Sequence, residues 1–78
     1  MMTQNEQAIM ADMFYYLRDH AEPPAPGTEA SNTFWNRAAQ DLGTIVAGKW
    51  NNHPLAMKLG LAIYDYIEMK YKAGGGAL

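Results

Sequence analysis

The sequence predicts an all-α fold of three helices, completed by self-association. Three observations carry that expectation. Apolar residues recur at helical spacing in three stretches separated by turn-forming residues. The 78-residue chain has no cysteine, so no disulfide can supplement a small core, and oligomerisation is the supplement left. The last stretch, residues 54–72, is apolar around roughly two thirds of its circumference, which is more than two short neighbours readily cover.

The first helix is expected over residues 4–21. Thr3-Gln4-Asn5-Glu6 fits a capping box, in which the threonine hydroxyl accepts from the Glu6 amide and the glutamate reaches back. Ile9, Met10, Met13, Phe14, Tyr16, Leu17 and Ala21 then share a face. Pro23-Pro24-Ala25-Pro26-Gly27 ends the helix, because proline lacks an amide donor and disfavours helix at the residue before it. Residues 22–32 are expected to be a stiff linker. The proline run lacks the basic flanks of an SH3-type ligand and reads as a connector.

A second helix is expected over residues 33–50, capped by Asn32 or Thr33. Phe34, Trp35, Ala38, Ala39, Leu42, Ile45, Val46 and Trp50 form its apolar face. Gly43 and Gly48 each weaken it by up to about 1 kcal/mol relative to alanine, and Gly43 can admit another backbone. Asn51 and Asn52 are suited to end it, since asparagine tolerates the left-handed conformation. Pro54 then opens the third helix, with Asn52 or His53 as its cap. So short a connection makes these two helices antiparallel neighbours. Residues 1–73 are expected to form one domain and residues 74–78 a flexible tail.

The third helix divides into two adjacent apolar faces. Leu55, Leu59, Ala62 and Tyr66 are assigned to the internal core. Ala56, Gly60, Ile63 and Ile67, with small residues four apart, are assigned to a second helix or to a subunit or partner interface. Tyr64 and Tyr71 flank that face. Tyr15, on the polar side of the first helix, joins them as a contact that core packing does not require.

Composition narrows the function. Eight acidic residues stand against six basic ones, giving a net charge of −2 and a pI near 5.5. A duplex-binding module instead carries a basic patch and a pI above about 9. Ala39-Gln40-Asp41-Leu42-Gly43 matches the start of a helix-turn-helix motif, but Lys49 and Asn52 occupy the later apolar positions. Nucleic acid is not an expected partner. No apolar run approaches the roughly 18 residues of a membrane span, and MMTQNEQ lacks the basic and apolar regions of a signal peptide. A cytoplasmic location is expected. His20 and His53 lie far apart in sequence, without zinc-site spacing, so no metal or cofactor is expected.

No acid–base pair or nucleophile constellation emerges, so an enzyme is not expected. His20 sits on the apolar face near the end of the first helix, where it can bond a carbonyl or interact with the helix terminus. Asn51-Asn52-His53-Pro54 is the densest polar cluster. It reads either as a capped turn or as an anion site on free helix amides. A small-ligand site would draw on Trp35 and Trp50 for stacking and on Arg37, Lys49 and Lys58 for phosphates, with Asn52 and His53 beside them.

Phe34-Trp35, the run Lys49-Trp50-Asn51-Asn52-His53-Pro54-Leu55-Ala56 and the run from Ala62 to Lys70 resemble small helical proteins encoded in prophage and mobile-element regions of Firmicutes. The similarity covers about half of the chain and carries no catalytic motif. It implies a non-enzymatic binder, with a host protein as one possible partner. The function expected is therefore a helical protein-interaction module forming a homodimer or higher homo-oligomer. The alternative is a nucleotide or signalling-molecule sponge built at an oligomer interface.

Overall fold

A computed structural model of the chain describes residues 1–73; the expected tail, residues 74–78, lies outside them. The fold is all-α, with helices α1 (Gln4–Asp19), α2 (Glu29–Gly43) and α3 (Pro54–Lys72) and a π-helical segment, Thr44–Lys49, continuing α2. Successive helices run antiparallel. Tyr16 donates to the Ala38 carbonyl across α1 and α2, and the Trp50 indole donates to Asp12 at the other end of the same seam. Ser31 donates to the Tyr71 hydroxyl where α2 begins and α3 ends, and Lys70 of α3 donates to the Ala21 carbonyl just past α1.

The capping box on α1 forms as its sequence dictates. Glu6 N–H donates to the Thr3 hydroxyl at 3.1 Å, and Thr3 N–H donates to the Glu6 carboxylate at 2.7 Å. The helix ends two residues early, because His20 leaves helical geometry at φ −122° and ψ 18°. The start of α2 corrects the sequence expectation by four residues. Thr28, rather than Asn32 or Thr33, is the cap: its hydroxyl accepts from Ser31 N–H at 3.1 Å and donates to the Ala25 carbonyl. Glu29 then sits in the first turn, where a negative charge complements the helix dipole. The linker shrinks accordingly to residues 20–28, with Gly27 at φ 81°.

At 3.6 residues per turn, Trp50 would lie about 80° round from Leu42. The wider π turn, marked by the Trp50 N–H to Ile45 carbonyl bond of 3.1 Å, rotates Trp50 back towards α1. There its indole reaches Asp12. Asn51 and Asn52 adopt the left-handed conformation, at φ 50° and 58°. His53 caps α3, its Nδ1 accepting from Leu55 N–H at 3.1 Å, with Pro54 in the first turn.

The face of α3 assigned outside the core is the buried one, while the face assigned to the core is only partly covered. Ala56, Gly60 and Ile67 are buried inside the single chain, and Ile63 packs against the core. The close approach that Gly60 permits is used by α2 and the π segment, while Ala56 clusters with Ile9 and Met13 of α1. A Cβ on Gly60 would stand 3.1 Å from both Leu42 and Val46. Leu55 and Leu59 are only half-buried, and Ala62 and Tyr66 are exposed. The innermost cluster is Ile9, Met13 and Ala56, with Leu42, Ile45, Val46, Trp50, Leu55, Leu59 and Ile63 packed on it.

Candidate functional site

A groove of about 340 Å³ lies between α1 and the second half of α2, lined by Asp12, Tyr15, Tyr16, Asp19, His20, Asp41, Thr44, Ile45 and Lys49. Helical spacing brings Asp12, Tyr16, Asp19 and His20 to this side of α1, while the π turn supplies Lys49. Asp12 accepts from the Trp50 indole at 2.7 Å and pairs with Lys49 at 2.9 Å. Burial raises the affinity of its carboxyl for a proton. The hydrogen bonds from Lys49 and Trp50 and the Lys49 charge outweigh that and hold its pKa below the ordinary value.

His20 is buried, with Nδ1 2.8 Å from the Tyr16 carbonyl and Nε2 3.2 Å from the Asp41 carboxylate. Its ring stacks on Tyr16 at 4.3 Å. The Tyr16 hydroxyl donates to the Ala38 carbonyl at 2.8 Å, and its pKa is pushed up to about 12 by burial and by the neighbouring Tyr64 and Asp41. Thr44 donates to the carbonyl of Gln40 one turn back. Asp12 is paired with Lys49, Asp19 with Arg18 at 3.1 Å and Asp41 with His20, so most of the groove's polar groups are already partnered within the chain. Its one lining ammonium, Lys49, is already paired, which leaves a phosphate no open cation there.

The residues assigned to a ligand are not brought to one place. Trp35 packs edge-on against Phe34, Tyr64 and Tyr71, with centroids 5.0, 5.4 and 5.3 Å away. Its indole N–H is buried with no acceptor among the described residues. Arg37 and Lys58 are exposed on different helices. Lys49 lies 5.5 Å from the Trp50 ring but is committed to Asp12. Asn52 forms the left-handed turn and His53 the α3 cap, so the Asn51–Pro54 cluster does the work of a capped turn. Asp12, Asp19 and Asp41 were not singled out by sequence reading. Asp12 and Asp41 are each separated from their partners by twenty or more residues, and no local pattern announces such pairs.

Among the residues assigned to an interface, Ala56, Gly60 and Ile67 are inaccessible in the single chain. Tyr64 is half-buried against Trp35, and Tyr71 accepts from Ser31 at 2.8 Å. Tyr15 alone projects into solvent as expected, with the Arg18 guanidinium 4.8 Å from its ring centre. The apolar side chains left uncovered are others. Phe14 is 64% exposed, Leu61 62% and Met69 59%, accompanied by Met10 and Met57. On α3 they surround the charged stripe Lys58, Asp65 and Lys72.

No family model matches the chain, and neither a curated protein nor a solved structure matches it. Among the described residues, no helix is long and apolar enough to cross a membrane, and no group of three or more histidine, aspartate or glutamate side chains is placed to hold a metal ion.

Proposed function

We propose that this protein is a non-enzymatic helical interaction module that acts as a homo-oligomer in the cytoplasm. The observation that carries this reading is the set of large apolar side chains left exposed on α1 and α3, led by Phe14, Leu61 and Met69. Exposed apolar side chains gathered on one face mark protein contact surfaces, and Leu61 and Met69 share the outward face of α3. Methionine and aromatic side chains suit such surfaces because they adapt and bury much area. A prophage setting, in which the protein is an accessory factor or an inhibitor of a host protein, belongs to the same proposal and rests on the sequence resemblance alone. The nucleotide-sponge alternative draws no support from the groove, whose one lining ammonium is already paired, or from its candidate residues, which diverge.

The test is the mass of the chain in solution, measured by sedimentation equilibrium from micromolar to hundred-micromolar concentration. The reading predicts a concentration-dependent mass that reaches at least twice the 8.7 kDa of one chain. A mass of one chain throughout that range contradicts it.

A further inference from the structure

We infer that the outward face of α3 pairs with the same face of a second copy, antiparallel, about a two-fold axis at Leu61 and Ala62. This rests on the proposed self-association and adds its surface and register. The face consists of Lys58, Leu61, Ala62, Asp65 and Met69, all exposed and recurring at three- and four-residue spacing. Lys58 and Asp65 are seven residues apart, two turns or about 10.5 Å along the axis, and lie on one stripe. Their signs are opposite, and among the described residues neither has an ion-pair partner. The other charges near the end of α3 are occupied. Glu68 pairs with Lys72 at 3.7 Å, and Lys70 donates to the Ala21 carbonyl.

This pattern is complementary to its own reverse. In an antiparallel pair centred between positions 61 and 62, Lys58 of each copy faces Asp65 of the other, forming two equivalent ion pairs. Leu61 meets Leu61 on one side of the axis, and Ala62 meets Ala62 on the other, where its small side chain lets the helices approach. Met69 reaches towards the half-buried Leu55 of the other copy. A parallel pair would instead set Lys58 against Lys58 and Asp65 against Asp65. The charges therefore select the antiparallel arrangement, as like charges in apposition disfavour a wrong pairing. One face of one helix is smaller than the roughly 800 Å² per partner of a standard interface, so the dimer is expected to dissociate at micromolar rather than nanomolar concentration.

The test is charge reversal with rescue, read by sedimentation and with helicity checked by circular dichroism. Both sites are exposed, so the fold should tolerate the changes. Lys58→Asp places two like-charge contacts in the dimer and is expected to weaken it by roughly tenfold or more. Adding Asp65→Lys should restore wild-type association. A wild-type dimer unaffected by Lys58→Asp, or not rescued by the double substitution, overturns this interface while leaving self-association standing. A monomeric wild type overturns both.

Discussion

Asp12 shows how one side chain ties the chain together. It receives the Trp50 indole and the Lys49 ammonium, both delivered from nearly forty residues away by the π turn. Its lowered pKa fixes the sign of a pH effect. The folded form binds a proton less readily than the unfolded chain, so the stabilisation is fully present above the unfolded value of about 3.8 and is lost as pH falls through the folded value. Asp12→Asn should therefore cost about 1 kcal/mol or more at neutral pH. The gap from wild type should narrow as pH falls below about 4. Urea midpoints of both proteins at neutral and acid pH check this; a gap that stays constant contradicts the pairing. None of it was legible locally, because an aspartate on the edge of an amphipathic helix reads as a solvated residue until its distant partners are placed.

At the scale of elements, Gly43 and Gly60 separate propensity from packing. Gly43 has helical geometry, φ −60°, and a Cβ there would meet nothing within 4 Å. Gly43→Ala should raise stability by about 0.5–1 kcal/mol, since glycine loses more backbone freedom on folding. Gly60 is the contact point of α3 with α2 and the π segment. Gly60→Val should cost about 1–3 kcal/mol or more, because the added methyls overpack Leu42 and Val46. Thermal melts of the two variants should shift in opposite directions. Three helices, the capping box, the His53-Pro54 start and the left-handed asparagines were all legible, because each depends on residues within a turn of one another. The Thr28 start was not, since Thr28 follows the proline run and reads as its continuation. The π segment had no sequence signal beyond a helical pattern with two glycines. The buried face of α3 was also misassigned. Periodicity shows that Ala56 and Gly60 invite close approach, but it does not say whether the approaching helix is the chain's own.

For the whole molecule, the burial of Ala56, Gly60 and Ile67 decides the functional reading. The described residues form a slab of 41 × 24 × 16 Å, its thinnest dimension between one and two helix diameters of about 10 Å. Ile9, Met13, Ala56 and Ile67 are well buried, so the fold closes on itself through the small residues of α3. Besides Met10, Phe14 and Tyr15 on α1, the opposite side of α3 remains uncovered, where Leu61, Ala62 and Met69 lie among Lys58 and Asp65. Self-association through that side is the central claim. Its most direct test exploits the absence of native cysteine. In a Leu61→Cys variant, the two thiols of an antiparallel dimer stand beside the two-fold axis, while in a Thr33→Cys control, exposed on α2, they do not. Under mild oxidation, non-reducing gels should show rapid conversion of the Leu61→Cys protein to a covalent dimer, well ahead of the control. Equal, slow dimer formation by the two variants would contradict the account.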